Sequence, residues 1–536
     1  MRLGSSLPRR ICGIPLTLIV LELMAAITAF TTGCGSNSKS VPSGPTLSGN
    51  TSVTVMVTGT ANDQLAEFDL GFQGISLTSQ SGKTVNLLSQ PTTAPRVGAE
   101  FMHINGTAEP LVTASIPQDI YASATVSLSG GELVCIALGP LDGKESLSSD
   151  FYSLLPSNYA VSTTLSSPVT VTGASMVLSL DLLVSQSATI GDCLNVDGFE
   201  GFSMAPAFSL SPLTIASTPT NSANGKVMAL DGQITAVEAN GGLTISTPDA
   251  DGARTLSVGS DSNTVYQGIA NFSVLAVGTF VDLDGAIQSD GSVLATRIAV
   301  EDTSATDVVR GPLMEVSPAV SIAAMHAREQ QGKDIPGYIG GLGAFDYGSA
   351  LFQISGEVTN QGSLPFVASF SASNMVPGQE VYISAAAMPP SGYPIATTMT
   401  LMPQTVNGTV EASSTSGSFT DYTVTLAPYD LFPMLAVQPG QTTVENNPSQ
   451  VEVYIDNNTQ MLNTQPLAAG STLRFYGLVF NDNGTLRMDC AQVNDGVAFT
   501  PTSSASQQTH MQRVEVQQTR RAGPGSLQQT ISVANH

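Results

Sequence analysis

The sequence predicts an all-β chain of several domains, an N-terminal β-sandwich followed by three related smaller units. Three observations point there. Val, Thr, Ser, Ile and Leu recur in short runs that alternate apolar and polar, the period of strands with one buried face. Fifty glycines and 31 prolines punctuate those runs as turn residues do. At 536 residues the chain is too long for one core and leaves room for three or four domains.

The chain opens on Arg2, Arg9 and Arg10, continues through a mostly apolar run at 11–30, and reaches Thr31-Thr32-Gly33-Cys34. That order resembles a bacterial lipoprotein signal peptide. The resemblance implies that residues 1–34 form the signal peptide region, that Cys34 carries the lipid and becomes the mature N-terminus, and that the chain is exported to the cell envelope as a membrane-anchored protein. The same basic-then-apolar order also fits an uncleaved anchor helix or an ordinary secretory signal. Residues 35–50, with Pro42 and Pro45 among Ser and Asn, lack apolar periodicity and read as a flexible tether.

The sandwich is expected over 51–215. Val53, Val55 and Val57 alternate with Thr54, Met56 and Thr58, then Phe68, Leu70 and Phe72 alternate again. Ser79 to Lys83 is turn chemistry leading into a hairpin partner at 84–88, with further strands at 122–128, 132–138, 168–172 and 176–184. Seven or more short strands in about 160 residues favour a sandwich. The runs 53–58, 116–121 and 176–184 with Asp181, and Phe202-Ser203-Met204-Ala205-Pro206-Ala207-Phe208, resemble an uncharacterised domain of bacterial lipoproteins thought to be a β-sandwich. That family supplies no catalytic residues to carry over.

Beyond residue 222 the chain repeats itself. Each unit opens alike, at Asp231-Gly232-Gln233-Ile234, Arg310-Gly311-Pro312-Leu313 and Asn407-Gly408-Thr409-Val410. Each closes with a Gly turn (Gly278, Gly378, Gly470), an alternating strand, a polar Gly turn and a second strand. The pattern resembles an uncharacterised bacterial domain, a small β-barrel similar to the OB fold, and implies OB-like repeats at 222–302, 306–404 and 405–497. The second copy carries an extra segment at 319–333 whose Ala-Met-His-Ala-Arg-Glu-Gln-Gln is helix-prone. Residues 498–536, rich in Ser, Gln and Thr, read as a disordered tail.

Charge and residue supply narrow the function. A net charge of -24 with 18 Lys and Arg opposes nucleic acid, and no basic groove composition occurs in 222–497. Of five cysteines, Cys12 falls in the signal and Cys34 takes lipid; Cys135 and Cys193 either bridge within the sandwich or stay buried thiols, and Cys490 is alone in the last unit. The only histidines are His103, His326, His510 and His536, so a positioned base is scarce. His103 reads as a half-exposed strand residue, and Gly201-Phe202-Ser203-Met204-Ala205 sits on an alternating strand rather than on the strand-to-helix turn of a nucleophile elbow. No zinc motif occurs. Asp249, Asp251, Asp282 and Asp284, with Asp290, are weak calcium candidates, since Asp-Gly pairs also make ordinary turns. The expectation is a lipid-anchored, non-catalytic envelope protein without a cofactor, acting as a binding or spacer module. Its partners would be the membrane and an envelope polysaccharide or protein. The alternative is a hydrolase of envelope polymer, using a carboxylate pair among 42 Asp and Glu.

Overall fold

The computed structural model describes residues 47–91, 97–137, 149–156, 158–189, 203–247, 253–332, 334–335, 340–358, 363–386, 392–428, 430–436 and 449–497. The signal region, Cys34, nearly all of the tether and the tail lie outside the described residues, as do Cys193, Asp249 and Asp251. Among the described residues no helix is long and apolar enough to cross a membrane.

The chain is all-β, and its N-terminal part is a sandwich of two sheets. One sheet runs in the order Phe208–Leu213, Ser175–Leu182, Asn50–Gly59, Glu109–Pro117, with the middle pair parallel. The other is built on Glu67–Ser79 and Asp119–Ala137, flanked by Thr84–Ser89, Val97–Glu100, Ser149–Leu155 and Tyr159–Val171. Inward residues of both sheets, among them Val53, Val55, Phe68, Phe72, Val126 and Leu180, form one core. The two strands expected at 122–128 and 132–138 are a single 19-residue strand whose register with Glu67–Ser79 shifts between Leu128 and Gly130. At Gly131 a Cβ would lie 2.5 Å from Leu70 and 2.8 Å from the Asp69 carbonyl, so glycine permits the close approach.

Three barrels follow, and they share one strand order. In the first, Lys226–Val237 is hydrogen-bonded on one side to Gly242–Ser246 and on the other to Phe280–Ile287; Thr255–Gly259 then closes the sheet by pairing in parallel with Val293–Ala299. The second uses Asp307–Ser317, Ile322–Ala327, Gly341–Asp346, Glu380–Ala386 and Ile395–Leu401 in the same roles. The third uses Gln404–Ser416, Phe419–Leu426, Gln450–Ile455, Thr472–Asp482 and Thr485–Asp495. Gly278, Gly378 and Gly470 have φ of 92°, 92° and 86°, and their N–H groups donate to Ile234, Leu313 and Val410, respectively. Each is a left-handed turn pinned to the same point of its opening strand, a conformation glycine adopts without a steric penalty.

The extra segment of the second unit, helix-prone by composition and expected as a helix or loop, is strand among the described residues. Residues 322–327 and 329–332 are strands, the second folded back on residues 307–310. Ala323, Met325 and Ala327 point inward at a period of two, and burial of that face overrides the helical propensity of Ala, Met, Glu and Gln. The hairpin leaves Gly311 against the His326 carbonyl, where any Cβ would collide with backbone. Gly311→Ala is therefore expected to lower stability by more than about 1 kcal/mol, measured by denaturant unfolding. A cost near zero would mean the two strands are not this close.

Sandwich and barrels share cores. Met56, Ala108, Val177 and Leu213 of the sandwich enter the first barrel's core. Leu478 and Phe480 of the third enter the second's. Ala66, Val134 and Ile136 meet Met314 and the short helix Leu431–Ala436 in a further cluster.

Candidate functional site

The repeat places one residue of each barrel at the same spot, immediately before the opening glycine: Asp231, Arg310 and Asn407. Across the ladder these face Asp282, Tyr382 and Arg474. The core side of each opening strand is taken by residues such as Leu230, Val309 and Val406, so the alternate residues leave the barrel. They are nevertheless buried, because other units cover them. Buried charge requires a partner, which comes from a covering unit for Asp231, Arg310 and Arg474 and from its own barrel for Asp282.

Asp231 of the first barrel accepts from Arg310 of the second at 2.9 Å, and Arg310 also lies 3.7 Å from Glu380. Arg328 binds Glu380 at 2.9 Å and donates to the Ala66 carbonyl of the sandwich at 2.6 Å. His326, wholly buried, meets Glu67 of the sandwich at 2.7 Å. Arg254 of the first barrel pairs with Glu109 and donates to the Pro110 carbonyl, both in the sandwich. Arg474 of the third barrel reaches Asp63 of the sandwich. Where the barrels meet, Arg297 of the first binds Asp282 and Asp284 at 2.8 and 2.7 Å, and Tyr476 of the third donates to Glu357 of the second at 2.6 Å.

His103 sits in this network. The Glu100 carboxylate accepts from the N–H groups of Phe68, Met102 and His103, folding the chain after Val97–Glu100 into a turn. That turn aims the imidazole inward, Nε2 3.2 Å from Glu109 and Nδ1 3.3 Å from Glu329. His103 is thus a turn residue, intermediate in burial with its side chain only 5% exposed, and not the strand residue that the alternation of 101–105 implied. His103, Asp231 and Glu329 each offer a ligand atom, and these lie within 4.8 Å of one another.

Burial and neighbours divide the acids into two groups. Burial pushes the Glu109 carboxyl up, but Arg254 and His103 outweigh it and hold it at about 2. Burial raises Glu329 well above the usual carboxylate range, and Asp231 beside it adds to the rise despite Arg310. Burial lifts Glu357 to about 8, with Asp284 contributing, and Glu301 to about 7, with Asp282 contributing.

A cavity of about 90 Å³ lies at the junction, lined by Asp63 and His103 of the sandwich, Arg310, Arg328 and Glu380 of the second barrel and Tyr476 of the third. It has room for a few waters or an ion.

Of the residues singled out from sequence, Asp282 and Asp284 lie on a strand and not in a turn, and both face Arg297. Cys135 is buried and disulfide-bonded; its expected partner Cys193 lies outside the described residues. Cys490 is a buried free thiol, raised by burial beyond the usual range of a cysteine. Ser203 is exposed on a two-residue strand. The sequence reading missed the junction itself, although the shared position of Asp231, Arg310 and Asn407 was visible in the repeat.

Fold and junction together define an all-β, multi-unit protein locked by buried ion pairs. Residues 231–299 match the model of a domain of unknown function, DUF5666. The match begins on the first barrel's opening strand and ends on its last, so it falls within that one barrel. Comparison with curated proteins finds no match.

Proposed function

We propose that the chain is an exported protein tethered to a membrane through lipid on Cys34, and that its body is a rigid, non-catalytic platform for binding in the cell envelope. The observation that carries the non-catalytic reading is the use made of the converging acids. Asp63, Glu109 and Asp231 are each engaged by an arginine from another unit, so their charge is used to dock units, and Asp282 and Glu380 are held by arginines of their own barrels. A glycan hydrolase requires two carboxyls about 5–10 Å apart in a cleft wide enough for polymer, and the junction cavity is far smaller than the several hundred Å³ of ordinary ligand sites. Shared cores between units favour a platform over an extensible spacer.

The tether is supported by the sequence of residues 1–36 alone, and one experiment addresses it. Cys34→Ala is expected to move the protein from the membrane fraction to the soluble fraction or to block its maturation, with mass spectrometry of the parent chain finding acylated Cys34 at the N-terminus. An unmodified N-terminus elsewhere sinks the tether. Turnover of envelope glycan or peptide by the purified protein, abolished by a single Asp or Glu substitution, would replace the platform with the hydrolase.

A further inference from the structure

We propose that His103, Asp231 and Glu329 form a binding site for a zinc-class divalent metal ion, which clips the sandwich to the first two barrels. The three residues come from three units: the turn after Val97–Glu100, the opening strand Lys226–Val237 and the added strand Glu329–Gly332. Zinc with nitrogen and oxygen ligands at roughly 2.0–2.2 Å sets those atoms about 3.3–3.5 Å apart in a tetrahedron. The donor atoms here lie within 4.8 Å of one another, which a small side-chain adjustment closes.

A second observation points to a ligand. Asp231 Oδ1 and Glu329 Oε2, in side chains only 3% and 9% exposed, receive no donor from the other described residues and are left to each other, bridged by a proton or by an ion. Arg310 neutralises Asp231 through Oδ2, which leaves the Glu329 carboxyl beside it to be met by a further cation or by a proton shared with Asp231. His103 favours the cation. Its Nδ1 faces Glu329 while its Nε2 faces Glu109, and Glu109 is itself held by Arg254. Nε2 lies 3.2 Å from Glu109, and a small rotation of the ring lets a neutral imidazole donate there and offer the Nδ1 lone pair to a metal, the carboxylate–histidine–metal relay that orients a ligating imidazole. One imidazole with two carboxylates suits zinc and its neighbours better than calcium or magnesium, which prefer oxygen alone. His103 also lines the junction cavity, which has room for a water at the remaining coordination position.

The site goes beyond the platform reading and stands or falls separately from it. The test uses the full chain purified in detergent, stripped with chelator, and titrated with Zn²⁺ alone by calorimetry at neutral pH. Expected is one saturable site in the parent protein and a rise in Tm with excess Zn²⁺. Both effects should vanish in His103→Gln and Glu329→Gln, and affinity should fall roughly 10- to 100-fold in Glu109→Gln. Circular dichroism shows whether the variants fold. Should they fail to, Co²⁺ added to the unmodified chain must give the visible bands of a four- or five-coordinate site. Absence of those bands, absence of saturable binding, or binding unchanged in folded His103→Gln and Glu329→Gln overturns the proposal. A Glu329→Gln chain that is more stable than a parent indifferent to Zn²⁺ assigns the pair a shared proton instead.

Discussion

Arg474→Ala is expected to destabilise the protein by about 3–5 kcal/mol, the cost of leaving a buried charge without its partner. Arg474 grips Asp63 with two parallel bonds, Nε to Oδ2 and the terminal amine to Oδ1, each 2.6 Å, and Thr405 donates to the same carboxylate at 2.6 Å. Bidentate geometry of this kind is the strong form of the interaction. Burial alone would push the Asp63 carboxyl up, yet Arg474 and Thr405 bring it below the usual carboxylate value. Without the guanidinium, Asp63 would face Asp430, whose own carboxyl is already pushed up to about 8 by burial and by Asp63. The neighbouring backbone also depends on this point, because the Asp63 carbonyl accepts from Leu431 at the start of the short helix. Denaturant unfolding measures the loss, and limited proteolysis should find the third barrel released first. Replacing both partners by leucine should recover much of the loss, since two apolar groups leave no charge stranded. An Arg474→Ala cost below about 1 kcal/mol would show that water reaches the pair.

The barrels were legible and the junction was not, for a physical reason. A closed sheet writes itself locally: an alternating strand, a glycine that must adopt positive φ, and a second strand, so Gly278, Gly378 and Gly470 could be aligned by eye. Docking writes nothing local. Asp231, Arg310 and Asn407 share a repeat position but not a charge: Asp231 and Arg310 are matched to each other across two units, and Asn407 bonds Val497 within its own. The run 101–105 imitates a strand because Phe101 and Met102 are buried, as strand residues often are; the Glu100 carboxylate makes it a turn. The opposite error arose at 319–333, where favourable helical composition conceals a period-two pattern whose buried side faces another strand. Asp282 and Asp284 looked like a calcium loop because the arginine that neutralises them lies fifteen and thirteen residues away, respectively, on the next strand.

Stability is expected to fall as pH rises from about 5 to about 9, against the usual preference of acidic proteins for neutral solution. The carboxyls of Glu301 and Asp489 are pushed up to about 7 and those of Glu357 and Asp430 to about 8, in each case chiefly by burial, and Glu329 is raised further. In the unfolded chain these groups ionise near pH 4. Between those values the folded state holds protons that the unfolded state has released, so raising the pH favours unfolding. Their contribution is complete below about pH 4 and is lost as pH climbs through 7 and 8. Glu109, held at about 2, and Asp63, also lowered, act in the other sense: they stabilise above about pH 4 and lose their contribution only in strong acid. The two sets together place the maximum near pH 4–5. Several groups titrating in the folded state make the decline on the order of a few kcal/mol, which lowers Tm by several degrees. Thermal unfolding at a series of pH values checks this, with chelator present so that metal at His103 does not contribute. A Tm that holds level or rises between pH 5 and pH 9 would mean that these carboxyls are solvated, and that the units do not seal the junction against water.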